Sequence, residues 1–513
     1  MSTEPPAWCR WRAGNSAVLL VAPHGGARGP ASPPLRAAKI NDLHTVDVVE
    51  ELAAALDASL IANPLVDRND LDLNRLSQVT ARAPWFLAVI DRLLARILAR
   101  HHRAEVLFIH GWNLVQPKCD IGIGRKLHSE VEAEVAPDAL TVTPAYVRTR
   151  LAALRAACAR HGIAAAYGER YPAQHPNNLL QLFRRRAEVE TAPPRLREWL
   201  AAGRVEAVQL ELGAPLRWPG PTRRQFVGAV RTAFGSGAEA PERCTPAAPA
   251  PLAAPAAVQF YDEPSGIGLV ARLDAHGAGI IRGGVLLFLG GRRVAIYTGE
   301  DLADAEPCPG GLRFAPCDSG LALGFDGALL ATDDGHLYLD TERALAASRL
   351  MALRADLVFE RARSDYGHVR GTLCIDGRTV SIDALGFSRL AVWEPAAHRG
   401  WRSHLTLHAG FGPDRCLHLR HQVPGGTARV AGSTADRPAG PLAISFGGDA
   451  LTPSRIALND GAASFTAEPL AQIAAAVRLT ENRTGLLSIG IARVACGSTR
   501  GFGFYEYGRV VIP

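Results

Sequence analysis

Residues 16–26, SAVLLVAPHGG, decide the fold. An unbroken apolar run this short, bounded by Gly-Gly, is the pattern of a strand covered on both faces. His24 stands where that strand ends.

Outward from this stretch, strand-like runs alternate with helical periodicity. Residues 45–57 (TVDVVEELAAALD) place Val46, Val49, Leu52 and Leu56 at helical spacing. SLIANPLVD (59–67) predicts a second strand, WFLAVIDRLLARILARHH (85–102) an amphipathic helix, and AEVLFIHGW (104–112) a third strand. PAYVRTRLAALRAACARHG (144–162) predicts another helix, ended by Gly162. IAAAYGE (163–169) and VEAVQLELG (205–213) predict two more strands. Alternation of this kind implies a mixed or parallel sheet with helices on both faces, and such sheets carry their sites at the carboxyl ends of strands. Residues 1–235 are therefore expected to form an α/β domain.

The next segment, 236–257, is rich in Pro and Ala and has almost no large apolar residue, so it reads as a linker. After it the texture changes. GGVLLFLGGRRVAIYTG (283–299), GALLATDDGHLYLD (327–340), HVRGTLCIDGRTVSID (368–383) and SHLTLHAGFGPDRCLHLRHQV (403–423) alternate apolar and polar residues between Gly, Asp and Asn turns. Residues 258–513 are expected to be all-β, a barrel or sandwich. Only AEPLAQIAAAVR (467–478) has a helical cast, and a strand reading stays open there. No internal repeat stands out.

Composition narrows the function classes. The 513 residues are 48% apolar and 21% charged, which supports a core and argues against wholesale disorder. No apolar run approaches the ~18 residues of a membrane-spanning helix. Acid and Pro near the N-terminus replace the basic flank and apolar stretch of a signal peptide, so a cytoplasmic protein is expected. Of the net charge of +6, residues 1–250 carry an excess of seven, with 31 Lys and Arg against 24 Asp and Glu, and the remainder carries 25 against 26. The basic residues form no dense stripe interleaved with aromatics, so no nucleic-acid partner is expected. A mild positive field suits a small anionic substrate. The nine Cys include no CxxC pair, which argues against a disulfide framework and a Cys-type zinc site.

Four motifs follow in order, each at or just past an expected strand end: Pro23-His24-Gly25-Gly26, Asp72-Leu73-Asn74-Arg75, Phe108-Ile109-His110-Gly111 and Glu211-Leu212-Gly213-Ala214-Pro215. Together they fit metal-assisted amide hydrolysis. A catalytic zinc takes three protein ligands, often two His and a carboxylate, and keeps one position open. His24 and His110 supply two nitrogens. Glu211 fits the general base that takes a proton from water and passes it to the leaving amine. Arg75 is a bidentate donor for a substrate carboxylate, with Asn74 beside it. Arg28, Arg125 and Lys126 are further basic candidates for contact with an anionic substrate.

The order HGG, DLNR, IHGW, ELGAP resembles the zinc carboxypeptidase superfamily, and within it the N-formylglutamate amidohydrolases and the aspartoacylase/succinylglutamate desuccinylase group. The resemblance spans residues 14–235. It implies a Zn2+ site at His24 and His110, substrate binding by Asn74 and Arg75, and Glu211 as the base. Asp120, in KCDIGIG, resembles the Asp that follows the second zinc His in the formylglutamate group. The wider superfamily has His-x-x-Glu at the first ligands, whereas the third residue after His24 is Ala27. The acidic ligand is then expected in NDLHTVDVVEEL, at Asp42 before Thr45, with Asp47 and His44 as alternatives; Asp42 also suits a helix N-cap. Tyr171 and His175, in YPAQHPNN, lie where that group has a substrate loop.

In the β half, residues 365–395 and GFGFYEYGRVV (501–511) resemble the lipocalin-like AttH/carotenoid-hydratase family. Gly386, Phe387, Ser388, Arg389 and Trp393 match its turn, while that family's Asp-His pair is absent. The resemblance implies lipocalin-like barrels, possibly in tandem, that enclose apolar ligands. Shielding the site or forming a homodimer are the other roles open to this half. The expected function is zinc-dependent hydrolysis of an N-formyl or N-acyl amide on a carboxylate-bearing amino acid or peptide-like metabolite. A metallocarboxypeptidase and a non-catalytic binder of apolar ligands are the alternatives.

Overall fold

The computed structural model describes residues 4–28, 39–184, 193–235, 256–276, 280–302, 311–363, 366–388, 403–412, 416–423, 429–431, 437–438, 443–449, 451–459, 464–480 and 483–511. Contacts divide the described chain into two compact units, one before residue 247 and one after it. The linker reading of 236–257 falls outside the described residues up to 255; Ala256 and Ala257 already belong to a strand.

In the first unit the elements are β1 (Arg10–Arg12), β2 (Val18–Ala22), α1 (Thr45–Leu56), β3 (Ser59–Ala62), α2 (Leu76–Arg82), α3 (Pro84–Leu98), β4 (Ala104–Gly111), β5 (Lys118–Gly122), α4 (Pro144–Tyr146), α5 (Ala152–Ala159), β6 (Ala164–Ala166), α6 (Pro194–Ala201), β7 (Val205–Leu212), α7 (Ala214–Arg217) and α8 (Pro221–Phe234). The strands form one sheet in the order β1-β3-β2-β4-β7-β5-β6. Its centre, β3-β2-β4-β7, is parallel, β1 and β5 join it antiparallel, and β6 is parallel to β5.

Alternation along the strands explains the two covered faces. Val18, Leu20, Ala22, Leu107, Ile109, Val208 and Leu210 pack with α1, α5 and α8. Leu19, Val21, Val106, Phe108, Val205 and Ala207 pack with α3 and α6. The central strands β2, β3, β4 and β7 are buried on both sides, which is why the sequence shows apolar runs rather than alternation there.

Some expectations needed revision. The strand expected over 59–67 stops at Ala62, because Asn63 Oδ1 accepts from Leu65 N and Val66 N and turns the chain. The helix expected over 144–162 is interrupted by a π turn at Val147–Leu151, and Gly162 ends it at φ +68°. β5, α6 and α8 were not anticipated.

The second unit is two all-antiparallel sheets. The first comprises β8 (Ala256–Asp262), β9 (Ile267–His276), β10 (Ile280–Phe288), β11 (Val294–Leu302), β12 (Arg313–Cys317), β13 (Gly320–Thr332), β14 (Arg349–Arg363), β15 (Tyr366–Ile375) and β16 (Arg378–Phe387), with α9 (Thr341–Ala347) between β13 and β14. The order is β11-β10-β9-β8-β16-β15-β14-β13-β12, and β11 also pairs with β13. Eight strands thus close into a ring, with β12 outside it, the arrangement of an up-and-down barrel. The second sheet comprises β17 (Ser403–Gly410), β18 (Cys416–Val423), β19 (Arg429–Ala431), β20 (Arg437–Pro438), β21 (Ala443–Gly447), β22 (Arg455–Asn459), β23 (Ser464–Thr480), β24 (Arg483–Cys496) and β25 (Thr499–Val511), in the order β20-β19-β18-β17-β25-β24-β23-β22-β21. Residues 467–478 are therefore strand. The two sheets share an apolar seam in which Phe288 and Val294 meet Ile473, Ile491 and Phe504. Of the AttH-like turn, Arg389 and Trp393 lie outside the described residues.

Candidate metal centre

The order of the central strands sets the place of the site. β2 leads through α1 to β3 on one side, and the chain then returns to β4 on the other, so a crevice opens between the carboxyl ends of β2 and β4. His24 follows β2, and His110 lies within β4.

Glycines make room there. A Cβ on Gly26 would sit 2.0 Å from Val66 O, and one on Gly111 would sit 2.5 Å from the Arg217 guanidinium. Asp42 N donates to His24 O at 2.8 Å, so the loop before α1 is pinned to the first histidine. The Asp42 carboxylate does not cap α1. The cap position belongs to His44, at φ 65° with no capping bond from its side chain, while Thr45 Oγ1 donates back to Asp42 O at 2.7 Å.

The Asp42 carboxylate turns instead into the crevice. Its Oδ2 lies 2.9 Å from His110 Nδ1 and 3.3 Å from His24 Nδ1, and its Oδ1 accepts from Arg68 Nη1 at 3.0 Å. The three side chains are 1–3% exposed. One candidate ligand atom from each of His24, Asp42 and His110 lies within 4.8 Å of the others, so the group could hold a metal ion. His110 Nε2 is buried with no hydrogen-bond partner among the described residues. Two imidazoles on one carboxylate is a donor set suited to zinc.

Two of the three candidate ligands have an outer partner of the kind that orients a metal ligand, Arg68 for Asp42 and Asp72 for His24. His24 Nε2 donates to Asp72 Oδ1 at 2.7 Å, leaving Nδ1 to face Asp42. Asp72 Oδ2 accepts from Lys39 Nζ at 3.0 Å. Burial acts to raise the pKa of both carboxyls. For Asp42, hydrogen bonds from His110 and His24 and the Arg68 charge outweigh it and hold the group well below the usual carboxylate range. For Asp72, His24 and Lys39 do the same.

Glu211 is the register partner of His110 across β4 and β7, and Asp120 partners Glu211 from β5. Burial lifts the Glu211 carboxyl to about 7; His110 opposes this and Asp42 adds to it. Gln209 Nε2 donates to Glu211 Oε1 at 2.8 Å, and Asn178 Nδ2 donates to Gln209 Oε1 at 3.1 Å. Asp120 has another task. Its carboxylate accepts backbone N–H bonds from Glu169, Arg170 and Tyr171 and so anchors the loop over β5.

Asn74 and Arg75 reach the site through Asp72. Asn74 N donates to Asp72 Oδ1 at 3.1 Å, and Arg75 Nε lies 3.6 Å from Asp72 Oδ2. Asn74 Oδ1 is buried with no partner among the described residues. Arg75 also bridges Asn178, which ties DLNR to the segment ending in YPAQHPNN. Tyr171 stacks edge-on against Trp112, two residues past His110. Arg125 is elsewhere, in the wall of a cleft whose lining includes none of His24, Asp42, His110 and Glu211. His44 and Asp47 pair with each other at 3.0 Å, and His44 stacks on Trp218; neither joins the metal group.

Sequence reading missed three supporting residues. Asp72 stood in plain view as the first residue of DLNR. Arg68 gave no local signal. Arg217 is fully buried beneath Gly111 and donates to the Leu43, Trp112 and Leu212 carbonyls, so it holds the α1 loop, β4 and β7 together.

No family model and no curated protein matches the chain. Solved structures do show likeness. An N-formylglutamate amidohydrolase from Ralstonia eutropha matches 44% of this chain and 97% of its own, at 15% identity and TM-score 0.30. An AttH protein from Nitrosomonas europaea matches 49% and 91%, at 12% identity and TM-score 0.32. Kievitone hydratase from Nectria haematococca matches 50% and 88%, at 8% identity and TM-score 0.28.

Proposed function

We propose that the chain is a zinc-dependent amidohydrolase of the N-formylglutamate amidohydrolase kind. Its substrate is a small anionic N-formyl or N-acyl amino acid or peptide-like metabolite. The observation that supports this reading is the convergence of His24, Asp42 and His110, far apart in sequence, at the carboxyl ends of β2 and β4, with Glu211 alongside.

His24, Asp42 and His110 would hold the ion. A bound zinc ion supplies Lewis acidity toward a carbonyl and a lowered pKa for water. The chain's own residues do the rest. Gln209 fixes Glu211 Oε1, so Oε2 is the atom that takes the proton from the attacking water and returns it to the leaving nitrogen. Asn74 and Arg75 take the substrate's carboxylate, and Asp72 couples their position to that of His24.

The test is turnover of N-formyl-glutamate, N-acyl-glutamate and N-acyl-aspartate by zinc-loaded protein, with unblocked dipeptides as the competing class. Release of formate or acid from the first set, lost in Glu211→Gln, is expected. Hydrolysis of dipeptides alone would move the assignment to a carboxypeptidase, and turnover of neither class would contradict the proposal.

A further inference from the structure

Past the carboxyl end of β5 lies a cleft of about 580 Å³, lined by Gly124, Arg125, Ala139, Gln174, His175, Pro176 and Arg184. Its charged side chains are all basic. Neither guanidinium has an ion-pair partner among the described residues, and Arg184 Nε is buried without a hydrogen bond. Asn177 N donates to His175 Nδ1 at 3.1 Å, so in the neutral ring Nε2 carries the proton and is a donor.

The wall is also conformationally costly. Ala173, just before Gln174, sits at φ 56°, where a residue other than glycine is strained. The turn is held by the buried Gln181, whose Nε2 donates to Ala173 O at 2.5 Å. Strain kept in place by a buried hydrogen bond next to unpaired cations is the mark of a built cleft rather than of a loose loop. The wall continues into Asn177 and Asn178, and Asn178 bridges Arg75, so the cleft adjoins the region where the proposed substrate's carboxylate binds.

We infer that this cleft binds a dianionic oxyanion group, either a phosphomonoester or a pair of neighbouring carboxylates, carried by the substrate beyond the carboxylate that Arg75 grips. Charge balance selects the class. One carboxylate would leave one guanidinium uncompensated, whereas a dianion matches both, with His175 as a third donor. The volume also calls for a larger group than one carboxylate. The link to the substrate rests on the amidohydrolase reading; the anion site itself does not.

The test is calorimetric titration of the metal-stripped full chain with inorganic phosphate and, separately, with citrate. Saturable binding of at least one is expected. It should weaken about tenfold or more in Arg125→Ala and in Arg184→Ala, recover partly in Arg125→Lys and Arg184→Lys, and stay unchanged in Arg75→Ala. Preference for phosphate assigns the phosphomonoester, and preference for citrate the paired carboxylates. No saturable binding of either anion, or equal weakening in Arg75→Ala, would overturn the inference. Since no metal is present, this readout survives even if the hydrolase reading fails.

Discussion

At the carboxyl ends of β4 and β7 the first unit's sheet turns polar, Phe108 giving way to His110 and Ala207 to Gln209 and Glu211. In the second unit, β14 keeps Met351, Leu353, Ala355, Leu357 and Phe359 buried along one unbroken face. The same period-2 alternation builds both. In the first unit it ends in buried carboxylates and imidazoles, which cost desolvation and persist only because each is paired. The second unit confines such groups to isolated contacts, such as His404 on Glu506, or Tyr505 donating across Gly490 to Gln472. Among the described residues, buried charge is thus concentrated in the first unit, while apolar packing builds both.

Substitutions in the two units should accordingly have different signatures. The largest effect is expected for Glu211→Gln, which should lower kcat about 10²–10⁴-fold while metal content stays intact. A fall in KM-dependent binding alone would remove Glu211 from the chemistry. Arg217→Met should destabilise the first unit by about 3 kcal/mol in urea, because the Leu43, Trp112 and Leu212 carbonyls lose their buried donor.

The third effect depends on pH. In the metal-stripped protein the folded Glu211 keeps its proton up to about 7, against an ordinary value of 4.5. Between those values the folded state binds more protons than the unfolded one, so stability should fall as pH rises through that window, by about 3 kcal/mol at most. Glu211→Gln should remove the slope. Asp42 acts in the opposite sense: its lowered carboxyl contributes stability that is lost only below its ordinary value of 3.8, outside this window.

A smaller, purely structural effect is expected in the second unit. A Cβ at residue 490 would sit 2.5 Å from the Tyr505 ring, so Gly490→Ala should cost about 1–3 kcal/mol and leave metal content and turnover unchanged. A loss of metal in that variant would break the comparison. The smallest difference is in thiol reactivity. Burial lifts Cys9 and Cys158 to about 12 and Cys119 well above its ordinary range, so native protein should resist maleimide at these three while Cys317, which is exposed, reacts at once.

Much of this was legible in the sequence because apolar periodicity is local. SAVLLVA and AEVLFIHG declare central strands, and the histidines at their ends are visible with them. Asp42 was the expected acidic residue, with Asp47 and His44 as alternatives, because the choice among them depends on how residues 41–44 leave the crevice, and His44 adopts a left-handed conformation no pattern announces. Arg68 and Arg217 were hidden because Asp42 is 26 residues from the first, and Leu43 and Trp112 are more than 100 residues from the second. β5 was missed because KCDIG is short and polar at alternate positions. The two nine-stranded sheets show no repeated sequence pattern, and the closure of the first is visible only in its register, where β11 pairs with β13.

The most direct test of the account is metal content. Protein purified without chelator and loaded with zinc should carry about one ion per chain, and Asp42→Ala and His110→Ala should each lose it, while His44→Ala and Asp47→Ala keep it. Zinc retained in Asp42→Ala but lost in Asp47→Ala or His44→Ala would place the third ligand elsewhere. No bound metal in the unaltered protein, even after zinc is added, would contradict the hydrolase reading outright.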